Sequence, residues 1–65
     1  MRIDTEFIKL DSFLKMVDAV SSGGEAKVLI LEGQVTVNGE PEIRRGRKLY
    51  AGDCVMLGGQ RYVVE

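Results

Sequence analysis

A chain of 65 residues with 9 basic and 10 acidic side chains, a formal net charge of −1 and no histidine is long enough for one domain, residues 1–65, with one small core that buries only about 60% of the surface its unfolded form exposes. The acidic balance excludes the strongly basic class that binds nucleic acid without specificity, and the length leaves little depth for an enclosed substrate. The single cysteine, Cys54, excludes an internal disulfide and a cysteine-cluster zinc site, and a small chain without a disulfide framework fits a reducing, cytoplasmic setting.

The N-terminal stretch carries Asp4 and Glu6 and no long apolar run, which predicts neither a signal peptide nor a membrane span. From Arg2 to Lys9 polar and apolar residues alternate, predicting an edge strand with Ile3 and Phe7 toward the core. Asp11 is placed to cap a helix over Ser12–Val20, whose inner stripe is Phe13, Leu14 and Val17, widened by Met16 and Val20. The turn Ser21–Gly24 is about four residues long, so the next helix packs as a neighbour. Ser22 and Glu25 have capping-box spacing, the hydroxyl accepting from the Glu25 N–H and the carboxylate reaching back to the Ser22 N–H. Ala26, Leu29 and Ile30 share one face of this second helix, and Gly33 stands where a left-handed residue ends it.

Val35 and Val37 alternate with Gln34 and Thr36 as a half-buried strand, and Asn38-Gly39 supplies a type I′ hairpin turn. Glu40–Ile43 is a short, edge-like return, because Pro41 cannot donate to a ladder. The loop Arg44–Lys48 holds four of the 5 basic residues found after residue 32, and Leu49-Tyr50 turns inward again. Ala51-Gly52-Asp53 turns into a strand over Cys54–Leu57, Gly58-Gly59 is a second tight turn, and Gln60–Val64 closes the chain. The sum is an α+β domain, ordered β-α-α-β-β-β-β, with two helices packed on a small, twisted, mostly antiparallel sheet.

Several groups have a binding reading and a plainer one. Gly23 and Gly24 at a helix N-terminus expose backbone N–H groups to a phosphate, or simply make a tight turn capped by Ser22 and Glu25. Arg44, Arg45, Arg47 and Lys48 offer forked and point-like donors to phosphate around a flexible Gly46, or form a solvated loop that guards a sheet edge. Lys9, Lys15 and Lys27 extend that patch if they share its face. Tyr50 stacks on an unpaired base or packs on the sheet with its hydroxyl in water. Asn38-Gly39 is a turn first, and Cys54, lacking a histidine partner, is a small core residue. No catalytic constellation, metal ligand set or cofactor site is present in the pattern, and Asp11 and Asp53 are explained as a cap and a turn residue.

Together these pieces are similar to an S4 RNA-binding domain. Lys9-Leu10-Asp11 opens helix one, Ser22-Gly23-Gly24-Glu25-Ala26-Lys27 opens helix two, GQVTVNG leads into the hairpin, and Ala51-Gly52-Asp53 precedes an apolar strand. SGGEAK, VNGE and RRGRKLYAGD most resemble the small stand-alone bacterial S4-like proteins of the YaaA/YbcJ type. The resemblance covers essentially the whole chain, though Gly23 and Gly24 stand where many S4 domains carry an arginine, and Lys9 where arginine is common. It implies the S4-like (αL-motif) fold and a non-enzymatic module docking on structured, often ribosomal, RNA. The implied contacts are the start of helix one (Lys9, Asp11, Lys15), the turn into helix two (Ser22, Gly23, Gly24, Lys27) and the basic loop (Arg44, Arg45, Arg47, Lys48). The alternative is a protein-interaction adaptor for a ribosomal protein or assembly factor. Short, charge-flanked edges favour a monomer.

Overall fold

In the computed structural model of the chain, residues 5–65 are described. A strand β1 (Ile8–Lys9) runs directly into helix α1 (Leu10–Met16), followed by α2 (Gly23–Leu31), β2 (Val35–Val37), β3 (Glu40–Pro41), β4 (Lys48–Leu49), β5 (Cys54–Leu57) and β6 (Gln60–Val63). All pairings are antiparallel, in a four-stranded sheet ordered β3-β2-β5-β6 and a separate two-stranded sheet of β1 and β4. The α+β architecture therefore matches the reading of the sequence. The strand β4 and the division into two sheets were not expected, because a two-residue strand at the end of a charged run has no alternation to reveal it.

The core is built where the periodicities place it. Phe13 and Leu14 of α1, Ala26 and Ile30 of α2, Val35 and Val37 of β2 are fully or nearly fully buried, joined by Leu10, Val20, Leu49, Val55 and Val64. Burying each such leucine, isoleucine or valine contributes roughly 1.5–3 kcal/mol. Pro41 sits on the edge strand, where its missing donor is harmless. Both hairpin turns are as predicted, with φ of 53° and 87° at Asn38 and Gly39 and 60° and 81° at Gly58 and Gly59.

Several boundaries differ from expectation. Ile3 lies outside the described residues, and of the predicted first strand only Ile8–Lys9 is strand among those described. There it is Ile8, of the opposite parity, that packs on the core, whereas Phe7 is half-buried against Tyr50. Asp11 is not the cap residue of α1: that position is Lys9, which makes no side-chain cap bond, and Asp11 lies within the first turn, where its carboxylate accepts the Ser12 N–H at 2.8 Å. The helix also ends at Met16, not Val20. Asp18, at φ 59°, forms a Schellman closure in which its N–H donates to the Lys15 carbonyl at 3.1 Å and the Ala19 N–H to the Leu14 carbonyl at 2.9 Å.

The second helix keeps its Ser22 cap, with the Glu25 N–H 3.2 Å from Ser22 Oγ, and starts directly after it at Gly23, so that Gly23 and Gly24 are helical and not part of the turn. The Glu25 carboxylate reaches the N–H and hydroxyl of Ser21, at 2.7 and 3.1 Å, instead of Ser22. Its C-terminus is the predicted glycine stop: Gly33, at φ 75°, donates to Ile30 and Gln34 donates to Leu29. Tyr50 is 46% exposed and does not turn inward with Leu49. Cys54 is half-buried, on the outer side of β5 with its sulfur accepting from Arg61 Nε at 3.2 Å, because the core position of that strand is Val55.

The closure at Asp18 carries a strain that glycine would not. An L-residue in the left-handed region costs about 1–2 kcal/mol, less for Asp and Asn, and an acid at a helix C-terminus opposes the helix dipole. Asp18→Gly is expected to stabilise the fold by about 0.5–1 kcal/mol, read as a rise in the midpoint of urea unfolding with an unchanged slope; a lowered midpoint would contradict this account of the closure.

Candidate nucleic-acid interface

The basic segment is fastened to the start of α1. A helix leaves its first N–H groups without internal partners, and here two of them are taken by main-chain carbonyls of that segment. The Leu10 N–H donates to the Arg47 carbonyl at 2.9 Å and the Asp11 N–H to the Arg45 carbonyl at 3.1 Å. The Arg47 N–H closes a turn on the Arg44 carbonyl at 3.2 Å. β1–β4 pairing then sets Ile8 opposite Leu49 and Lys9 opposite Lys48, with Leu10 and Leu49 fully buried beneath. Lys9 is thereby brought alongside the cationic cluster. Asp11 joins it through an ion pair with Arg45, Nε to Oδ2 at 3.4 Å.

Glu42, just ahead of the arginines, is the buried charged residue among those described, at 6% exposure. Its Oε2 accepts from Arg44 Nε at 3.0 Å and from the Arg44 main-chain N–H at 3.0 Å. Its Oε1 accepts from Arg44 Nη2 at 3.2 Å and from Arg47 Nη1 at 2.9 Å. These bonds, those from the Arg44 guanidinium first and Arg47 second, hold the carboxyl at about 2 against an ordinary 4.5, overriding the opposing effect of burial. The arginines are not withdrawn from solvent by this: the side chains of Arg44, Arg45 and Arg47 keep 74%, 51% and 32% exposure.

Gly46 has an ordinary negative φ and open space where a Cβ would stand, so the turn itself does not require glycine here. Lys48 lies over the Phe7 ring, Nζ 4.8 Å from its centroid, and Tyr50 leans on the same ring at 6.2 Å between centroids. An open concavity is lined by Arg44, Gly46, Arg47 and Lys48. Asn38 is more than a turn residue: its side chain receives the Cys54 N–H at 2.9 Å and donates to Asp53 at 3.2 Å. Asp53 in turn accepts the Tyr50 N–H at 2.8 Å.

The structure thus gathers Lys9, Asp11, Arg44, Arg45, Arg47 and Lys48. Ser22, Gly23 and Gly24 open α2, and no hydrogen bond or ion pair joins them to the basic segment. Lys15 in the last turn of α1 and Lys27 in α2 are exposed and equally untied to it. Sequence reasoning missed Glu42. An acid two and five residues ahead of arginines, straight after an edge proline, is the signal that was available, since an edge strand ending there turns the following side chains back over it. No group of residues suited to hold a metal ion occurs among those described, and no described helix is long and apolar enough to cross a membrane.

Comparison with known proteins agrees with the resemblance read in the sequence. A family model described as "S4 domain" matches residues 1–65. The "Probable ribosome maturation protein RlbA" of Bacillus subtilis (strain 168) is 56% identical over 57 residues, 88% of this chain and 80% of that protein. The "Putative RNA-binding protein YbcJ" of Escherichia coli (strain K12) is 40% identical over 52 residues, 80% of this chain and 74% of that protein. No solved structure gave a significant match.

Because the carboxyl of Glu42 titrates lower in the folded than in the unfolded chain, the ionised network contributes its full stability above about pH 4.5 and loses it as the pH falls toward about 2. Glu42→Gln is therefore expected to lower stability at neutral pH and to flatten the fall in stability across that acid window, measured by urea unfolding at a series of pH values. An unchanged acid limb would show that the stability loss belongs to other carboxylates.

Proposed function

Because the chain belongs to the S4 domain family, we propose that it is a non-enzymatic RNA-binding module, one monomeric domain over residues 1–65 that docks on structured RNA, ribosomal RNA in particular. The observation that carries this reading is the gathering of Arg44, Arg45, Arg47, Lys48 and Lys9 at the start of α1 in a chain whose net charge is −1. The relatives' names, a ribosome maturation protein and an RNA-binding protein, support the ribosomal direction. The roles assigned are phosphate clamps for Arg44, Arg45, Arg47 and Lys48, with Lys9 and Asp11 beside them. Ser22, Gly23 and Gly24 would offer the backbone N–H groups of the α2 terminus, with Lys15 and Lys27 as flanking cations. RNA helices are recognised largely through shape and backbone, which suits a surface rich in phosphate-binding groups.

A second reading, a protein-interaction adaptor for a ribosomal protein or assembly factor, is favoured by one observation. Val28 and Leu31 on the outer side of α2 are 53% and 57% exposed. Salt separates the two, since each phosphate contact contributes about −0.7 to −0.9 to the slope of log affinity against log salt, while an apolar contact contributes little.

The test is sedimentation of the tagged protein in bacterial lysate at low and high salt, with the co-migrating RNA sequenced. Co-migration with a ribosomal subunit or precursor that high salt abolishes is the expected result, and a protein that stays at the top of the gradient in both salts would overturn the RNA reading. The double variant Arg44→Ala, Arg45→Ala is expected to stay folded, bind purified ribosomal RNA more weakly and lose about 1.4–1.8 from the salt slope, two contacts' worth; affinity equal to the parent protein would remove these two clamps.

A further inference from the structure

We propose that Glu42 is a positioning residue for the anion site, its carboxylate holding the Arg44 and Arg47 guanidiniums in a fixed pair whose outer edges bind phosphate. This inference rests on the RNA reading and adds the device that organises the same site.

The geometry supports it atom by atom. Glu42 takes the side edge of Arg44, using Nε and Nη2, and a single Nη1 of Arg47. A guanidinium has five N–H donors in one rigid fork. The bonds to Glu42 therefore leave the Nη1 end of Arg44 and most of the Arg47 fork unused by it, and Arg44 remains 74% exposed. The carboxylate also takes the Arg44 main-chain N–H, so the backbone at the clamp is fixed by the same group that fixes the side chain. Between the two arginines lies Gly46, with nothing within 4 Å of its Cβ position, and the same concavity is bordered by Lys48. A long cationic side chain ordinarily loses rotamer freedom when it binds; here Glu42 has already ordered two of them. Placement and charge make opposite predictions for this residue. As a mere counter-charge, Glu42 weakens anion binding and its removal tightens it. As a positioning group, it strengthens binding and its removal weakens it.

Glu42→Gln and Glu42→Ala test this directly, with purified bacterial ribosomal RNA as probe, fluorescence anisotropy as readout and a salt series for each variant. Amide spectra at the working temperature confirm that each variant is folded, and Glu42→Asp serves if either is not. The expected result is affinity about threefold to tenfold weaker for Gln and Ala, as one or two long side chains must be ordered anew on binding, with a shallower salt slope. Affinity equal to or tighter than the parent protein, with an equal or steeper slope, overturns the positioning role and leaves the RNA reading standing. A parent protein that fails to bind the RNA at low salt overturns both.

Discussion

Two main-chain hydrogen bonds at the start of α1 hold the rest of the arrangement in place. The donors at a helix N-terminus must find partners, and this chain supplies the first two from the carbonyls of Arg47 and Arg45, with the Asp11 carboxylate taking the Ser12 N–H. The choice has consequences in three directions. It turns the carbonyls of the basic segment toward the helix. It places Leu49, paired with Ile8 of β1, where its side chain is fully buried. It also brings Lys48 beside Lys9 through a two-residue sheet that is far too short to be stable alone. A cationic run that would otherwise be a loose loop becomes part of the helix terminus.

That fastening concentrates positive charge, and the acids nearby are distributed to make it tolerable. Glu42 and Asp11 each pair with arginines of the cluster, which leaves a local excess of three positive charges when Lys9 is counted. The two acids act differently. Asp11 pairs at 3.4 Å with a half-exposed arginine, an arrangement worth little in water. Glu42 is buried, and a buried carboxylate without partners is strongly disfavoured. Its depressed titration shows that hydrogen bonding to the charged form outweighs desolvation. Order in the segment therefore comes mainly from Glu42, at the end of the edge strand, and from the helix donors at the other side.

Much of this was legible in the residues. The Ser22 cap, the Gly33 stop, the Val35 and Val37 alternation and both glycine-containing hairpin turns are local signals, each with its own stereochemistry, and each appears as read. The misreadings arise from a non-local partner at Asp11 and from local turns that the residue types do not announce at Asp18 and Glu42. Asp11 has the composition of a cap, but the helix already begins at Leu10, whose N–H and that of Asp11 bond to carbonyls more than thirty residues away, and the Asp11 carboxylate serves the adjacent Ser12 N–H instead. The apolar pattern continues past Met16, yet Asp18 adopts a left-handed conformation that a survey of glycines does not find. Glu42 looks like one more charge on a return strand, and only the turn that brings Arg44 and Arg47 back over it makes it a buried centre. The cations were identifiable from their density; the group that orders them was not.

The small negative net charge bears less on the proposed function than its sign suggests. Screening limits exposed charges to about 10 Å at 0.1 M salt, so a phosphate approaching the Arg44–Lys48 segment is influenced mainly by the groups gathered there and hardly by charges beyond that range. Non-specific affinity, by contrast, grows with the number of cations that any stretch of nucleic acid can reach at once. A chain with one fixed cationic cluster and no overall excess therefore gives up indiscriminate attraction while keeping a local site. On the proposed reading, binding then depends on whether the phosphates of a target are spaced to meet guanidiniums already held by Glu42. Recognition of that kind selects a backbone shape, because a rigid set of donors rewards only the geometry it was built to match.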